Sequence, residues 1–363
     1  MSRKIGDVFK TGYDNRSFTE GKDLVDPSTF VGVEVEFEGV DYPVNFPAIN
    51  NSPFWTAKHD DSLRGKSVEI LFAYPLFGRD IETALHELEQ DIVTGKKPCH
   101  SARTSTHVHI DINKLTAHEL YRFILLSITL ERVLYKYAGK GREKSVFCVP
   151  FYKADKNVHY LSAFLKGEDD IGALRGSVLS DTYRYAGINL HAILKYGTLE
   201  FRMLKEEWRY EKLVFWINVL LSIRKYAINM DSSMVDLHKD LSVRGPENLL
   251  DDVFGEFSGP LKYPDAKLDI LRGIRLAQQV EFSDINQQLV WNLQQLVPHC
   301  NFKFNFEETH PTLFRKKSES KEKATEENSA GYAWIDPAVP PPAFQFYMDY
   351  MQQIDEPEQQ EED

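Results

Sequence analysis

The sequence predicts an α+β fold, a sheet covered by helices on one face with polar residues on the other. Three observations carry this. Val33-Glu34-Val35-Glu36-Phe37-Glu38, His107-Val108-His109-Ile110-Asp111 and Leu199-Glu200-Phe201-Arg202-Met203 alternate polar and apolar residues strictly, the pattern of a half-buried strand. Long segments with helical spacing lie between them. Near mid-chain, two strand-like segments flank Leu194-Lys195-Tyr196-Gly197 and read as a hairpin.

Residues 1 to about 27 read as irregular and polar. Strand signals run from Phe30 to Phe72, the second strand being Ser67–Phe72, ended by Pro75, with an Asn-, Pro- and Asp-rich loop from Asp41 to Asp61 between the strands. Asp80–Val93 reads as a helix with Leu85, Leu88 and Ile92 on one stripe and Gly95 just past its end. Thr116-Ala117-His118-Glu119 is a capping box that opens a helix to Ala138, stopped by Gly139. A mixed loop follows from Lys140 to Lys156, then a helical piece near His159–Lys166. Strands are expected over Arg184–Ile193 and Thr198–Leu204, and a helix over Trp208–Ile228. Residues 231–300 read as mostly helical, with breaks at Gly245-Pro246 and Gly259-Pro260. The expected organisation is an N-terminal segment 1–27, a main domain 28–310, a polar linker 311–331, and a Pro- and aromatic-rich segment 332–363 with an acidic tail.

The 363 residues, 42% of them hydrophobic, suffice for a large core. The net charge of -12 and the absence of a basic stripe argue against a nucleic-acid binder. Three cysteines, Cys99, Cys148 and Cys300, form no Cys-x-x-Cys pair, so neither a zinc ribbon nor a disulfide framework is expected. The first residues contain no apolar signal-peptide core, and no apolar run reaches membrane-spanning length. A cytoplasmic protein, in a host cytoplasm if viral, is the expectation.

The polar faces carry the chemistry. Glu34, Glu36 and Glu38 stand two apart, so their carboxylates recur about every 6.6 Å on one side of a strand. Taken alone this is a solvated face, but like charges repel and a divalent cation would relieve them. His107 and His109 share a face with Asp111. The His-x-His-x-Asp-His motif of dinuclear zinc hydrolases is incomplete, because residue 112 is Ile. Glu200 and Arg202 share a face and could be a surface ion pair; Arg202 is also a natural partner for a transferring phosphoryl group. Arg184 and Asn189 come from the preceding strand. Glu69, between Val68 and Ile70, needs a partner. No Walker A loop or protein-kinase signature is present. A metal-dependent hydrolase of amides or phosphoesters, and a non-catalytic binding or structural protein, stay open beside a phosphoryl-transfer enzyme.

These pieces, in this order, resemble the amidoligase family, carboxylate-amine ligases related to glutamate-cysteine ligase and glutamine synthetase. The resemblance rests on Val31-Gly32-Val33-Glu34-Val35-Glu36-Phe37, Asp61-Ser62-Leu63, Val68-Glu69-Ile70, Ser105-Thr106-His107-Val108-His109-Ile110-Asp111, Asn189 and Thr198-Leu199-Glu200-Phe201-Arg202, covering roughly residues 30–230. It implies a curved, mainly antiparallel sheet with helices on its outer face, and amide formation that uses ATP and Mg2+ through an acyl phosphate. It implies that Glu34, Glu36, Glu69, His107 and Glu200 surround magnesium. Arg202, with Glu200 and Glu36, would serve the phosphoryl transfer, and His109, Asn189, Arg184 and Arg202 would bind nucleotide or substrate. The implied partners are small-molecule or peptide carboxylates and amines. Such proteins are frequent in bacteria and their viruses.

Overall fold

The structure, a computed structural model, describes residues 4–6, 24–40, 46–60, 62–95, 98–99, 101–154 and 184–282. The chain divides into two compact units, Met1–Lys303 and Phe304–Asp363, and the described residues lie in the first. The helix expected near His159–Lys166, the stretch 283–300, Cys300 and the aromatic segment Phe344–Tyr350 lie outside the described residues.

Six strands form one sheet: β1 (Val31–Glu38), β2 (Trp55–Lys58), β3 (Ser67–Phe72), β4 (Ser105–Asp111), β5 (Ile188–Asn189) and β6 (Thr198–Lys205). Their order is β2-β3-β1-β4-β6-β5, and each neighbouring pair is antiparallel. Antiparallel register puts directly opposed residues on the same face. The pairs Glu34–His107, Glu36–Glu69, His109–Glu200 and Asn189–Glu200 therefore gather on one side. The residues between them, Val33, Val35, Phe37, Val68, Ile70, Val108, Ile110, Leu199, Phe201 and Met203, are buried in the core.

The apolar face is roofed by helices α1 (Arg79–Glu87), α2 (Ala117–Ala138) and α4 (Tyr210–Asn229), with a short α3 (Ala192–Tyr196) between β5 and β6. The expected capping box forms at α2: Glu119 N donates to Thr116 Oγ1 at 3.3 Å, and Thr116 N donates to Glu119 Oε2 at 2.6 Å. From α2, Phe123 meets Phe201 of β6, ring centroids 6.0 Å apart, and Tyr137 stacks on Trp216 of α4 at 5.7 Å. Helices α5 (Met234–Arg244), α6 (Asn248–Phe254) and α7 (Ala266–Phe282) follow, with breaks at the expected Gly-Pro pairs. The helix expected over Asp80–Val93 is α1 followed by a π-helical turn, Leu88–Val93, and its stripe Leu85, Leu88 and Ile92 is buried. No helix among the described residues is long and apolar enough to cross a membrane.

Two expectations are corrected. The loop Asp41–Asp61 contains β2, an edge strand anchored by Trp55, whose Nε1 donates to Ala84 O at 2.8 Å. Only four residues pair, and Thr56 and Lys58 are exposed, so the composition of the surrounding loop hides the strand. The strand expected over Arg184–Ile193 shrinks to Ile188–Asn189: Arg184–Gly187 form a turn with a single bridge from Ala186 to Val149, and α3 takes over at Ala192. Asn189 Oδ1 accepts from His191 N at 2.9 Å and turns the chain out of the sheet. Gly197, at φ 66°, then ends α3 in the left-handed conformation that glycine adopts without steric cost, so β5 and β6 are joined by a helical turn.

Candidate active site on the polar sheet face

The alternation in β1, β3, β4 and β6 fixes which side chains can meet, and the register fixes which do. His107 on central β4 lies between two partners. Its Nδ1 is 3.1 Å from Glu34 Oε2 and 3.5 Å from Glu200 Oε1, and its Nε2 is 2.8 Å from Ser105 Oγ. Ser105 also donates to Glu36 Oε2 at 2.6 Å. His109 is held the other way round: Nδ1 is 2.9 Å from Thr198 Oγ1, while Nε2 faces Glu34 Oε1 at 3.4 Å and Glu200 Oε1 at 3.9 Å. That Nε2 is buried and makes no hydrogen bond among the described residues.

Glu200 is fixed on both oxygens. Arg202 donates to Oε1 at 2.6 Å and Asn189 Nδ2 to Oε2 at 2.6 Å. Arg202 is steadied further by Phe147 O, 3.4 Å from its Nε. On the opposite flank Lys58 Nζ is 2.9 Å from Glu69 Oε2. Tyr196 stands at the lip, half exposed, its ring edge-on to His109 with centroids 5.6 Å apart. Arg184 lies over the Tyr185 ring at 4.8 Å, and Arg202 faces the same ring at 5.8 Å.

The electrostatics follow from crowding carboxylates with cations in a half-buried place. Burial opposes ionisation of Glu34, yet the hydrogen bond from His107 and the nearby imidazole of His109 hold its carboxyl well below the usual range. Burial likewise opposes ionisation of Glu200, and Arg202 and the two histidines outweigh it, lowering that carboxyl. Burial, then the adjacent charge of Glu34, push Glu69 up to about 8 against the pull of Lys58. Burial disfavours a charged His109, but Glu200 and Glu34 prevail and raise it.

Two groups of donors are placed to hold a cation, Glu34 with Glu69 and His107, and Glu34 with His109 and Glu200. Within each, one ligand atom per residue lies within 4.8 Å of the others. The residues fit a hard divalent ion, being mainly carboxylate with one imidazole each. Two further observations support the fit. Each imidazole has one nitrogen held by a hydroxyl, Ser105 or Thr198, as ligating histidines are held. The other nitrogen of His109 is buried between Glu34 and Glu200 and makes no hydrogen bond among the described residues, which leaves it free to share a ligand with those carboxylates.

Glu34, Glu69, His107, His109 and Glu200 thus come together, with Glu36 beside them through Ser105, and Arg202 and Asn189 against Glu200. Arg184 stands apart behind Tyr185. Asp111 and Glu38 do not join. Asp111 Oδ1 accepts from Asn113 N at 3.1 Å and Nδ2 at 2.5 Å, closing the turn after β4, and Glu38 Oε1 accepts from Arg64 N at 2.8 Å. Ser105, two residues before His107 on the same face of β4, is a site residue that its parity with His107 signals in the sequence. Lys58 was concealed in the loop that holds β2.

Fold and site together define an α+β protein with an acidic, imidazole-containing sheet face whose donors could hold a cation. Residues 74–224 match the model of the family described as "putative amidoligase enzyme", the family that the motifs resemble, which supports a ligase-type function. The matched span contains His107, His109, Asn189, Glu200 and Arg202. Glu34, Glu36 and Glu69 precede it and enter the site through the pairing of β1 with β4 and β3. No curated protein matches the chain.

Proposed function

We propose that the protein is an ATP-dependent carboxylate-amine ligase. The observation that carries this reading is the pair of donor groups sharing Glu34, set beside a guanidinium that Glu200 holds at 2.6 Å. In the proposed reaction a carboxylate oxygen of the acid substrate attacks the γ-phosphorus of ATP, and ADP leaves. An amine then attacks the carbonyl carbon of the acyl phosphate, the C–O bond to phosphate breaks, and the nitrogen gives up one proton to the departing phosphate or to solvent. The chain's part is positioning and charge stabilisation.

Glu34, Glu69 and His107, and Glu34, His109 and Glu200, are the residues that would hold Mg2+; when bound, it supplies positive charge against the phosphates. Arg202 faces the same volume and would offset charge on the transferring phosphoryl group. Glu200 and Phe147 O keep its guanidinium in place. Asn189 keeps Glu200 oriented. Tyr196 and Lys58 at one lip, and Tyr185, whose ring Arg202 faces, at the other, are placed to contact small-molecule or peptide acid and amine substrates. A reaction that consumes ATP suits the cytoplasm. The hydrolase reading loses its third ligand, since Asp111 is committed to Asn113.

Incubation with ATP, Mg2+, hydroxylamine and a panel of amino acids and small carboxylic acids tests the proposal. The expected result is ATP-dependent hydroxamate with release of phosphate, lost in Glu200→Gln and Arg202→Ala by about 10²-fold or more while both remain folded. Cleavage of amides or phosphoesters without ATP would sink the ligase in favour of the hydrolase.

A further inference from the structure

Arg142 is buried at 4% exposure, in a short 3-10 turn, Arg142–Lys144, just after α2. Buried arginines normally face a carboxylate. This one donates to main-chain oxygens: Nε to Met203 O at 3.1 Å, Nη2 to Arg202 O at 3.0 Å, and Nη1 to Thr104 O at 3.3 Å and Ala102 O at 3.4 Å. The pattern has a cause in the register of β4 and β6. Thr106 pairs with Leu204 and Val108 with Phe201, so two steps on β4 match three on β6. One extra residue sits in β6 at Arg202-Met203, opposite His107, which is a β-bulge.

In a regular strand successive carbonyls point to opposite edges. Here the carbonyls of Arg202 and Met203 converge on one guanidinium. A bulge leaves such groups without regular ladder partners, and buried unpaired carbonyls are costly. Arg142's fork satisfies both, and ties them to the chain entering β4 at Ala102 and Thr104. Bulges bend a strand and re-aim the side chain they carry; the one re-aimed here is Arg202, which meets Glu200 at 2.6 Å.

We infer that Arg142 is a positioning residue for Arg202: it stabilises the β6 bulge and so sets the direction of the guanidinium in the site. What Arg202 does there rests on the ligase reading; where it points does not. Lysine, with one ammonium and no planar fork, cannot satisfy the same set of carbonyls.

The test uses full-length Arg142→Gln and Arg142→Lys. Crystal structures of both should show the bulge shifted and the Arg202–Glu200 separation beyond 4 Å. In the hydroxamate assay kcat should fall about 10²-fold, as expected for an angstrom-scale misplacement, with KM for ATP changed less than threefold. An intact Arg202–Glu200 pair in both variants overturns the inference, as does wild-type kcat. Failure of both variants to fold also overturns it, leaving Arg142 a purely structural residue. Absence of ATP-dependent turnover in the wild type defeats the ligase reading instead, and the crystal structures then decide the positioning role alone.

Discussion

Glu34 belongs to both donor groups, and it is the carboxylate that His107 and His109 hold most firmly in its ionised form. Removing its charge should therefore damage cation binding more than the loss of either histidine. Glu34→Gln is expected to weaken Mn2+ or Mg2+ binding by more than about tenfold by titration calorimetry, the lower bound set by what supporting residues alone contribute; unchanged affinity would move the cation elsewhere. Strand parity made Glu34, Glu36, Glu69, His107, His109, Glu200 and Arg202 readable from sequence. Glu38 and Asp111 share that parity but not the site, because both close their strands and their carboxylates serve the adjoining turns. A different kind of residue is His238 on α5, whose two ring nitrogens are buried with no partner among the described residues. Burial alone pushes it down to about 4. The unfolded chain, with histidine near 6.5, binds the proton more readily, so stability is complete above about pH 6.5 and declines as pH falls toward 4. The loss approaches about 3 kcal/mol per molecule. Urea unfolding at pH 7.5 and 5 should show it, and His238→Leu should flatten that part of the pH profile; equal slopes in the two proteins would rule His238 out.

Among the helices, α2 is the one whose start, length and end were all legible, because its capping box, apolar periodicity and terminal Gly139 agree. Thr116→Ala removes one half of the box and should cost about 1 kcal/mol, read as a lower urea midpoint. Its packing was not legible. Gly273 of α7 comes so close to α2 that a β-carbon there would stand 1.9 Å from Thr129 O, far inside carbon–oxygen van der Waals contact. Main chain cannot yield as a side-chain tip can, so Gly273→Ala should separate the two helices at a cost of roughly 1–3 kcal/mol, or more. That would be several times the effect of the same change at solvent-facing Gly259, where a β-carbon meets nothing within 4 Å. Comparable melting temperatures for the two variants would contradict the close approach. Short elements were the hardest to read. Strand β2 has four residues and α3 five, too few for periodicity to rise above the turn-forming residues around them. The β6 bulge leaves a fainter trace: Met203 and Leu204, adjacent and both buried, break the alternation that runs from Leu199.

At the scale of the whole molecule, the sheet is a division of labour. One face builds the core with Val, Ile, Leu and Phe, and the other sets four carboxylates, Glu34, Glu36, Glu69 and Glu200, within reach of two imidazoles. Sequence could supply the two faces, but not the strand order, because pairing β1 with both β3 and β4 is a long-range choice that no local pattern encodes. That order is what turns separate acidic strands into one site, and it has an energetic consequence. Gathering like charges costs free energy in the folded state that the unfolded chain does not bear. Lys58, Arg202 and protonation of Glu69 offset part of it. A divalent cation bound by the folded chain alone would offset more, adding RT ln(1 + [L]/Kd), about 2.7 kcal/mol at a hundredfold excess over Kd. The melting temperature should therefore rise by several degrees with millimolar Mg2+ or Mn2+ and return to its starting value with EDTA. Glu34→Gln removes the shared ligand and also the charge that His107 and His109 hold ionised. It should melt at or below the metal-free wild type and respond little to added cation. A variant that still gains the full wild-type increment would mean that the stabilising ion binds away from this face, and the sheet's acidic residues would then need another explanation for their convergence.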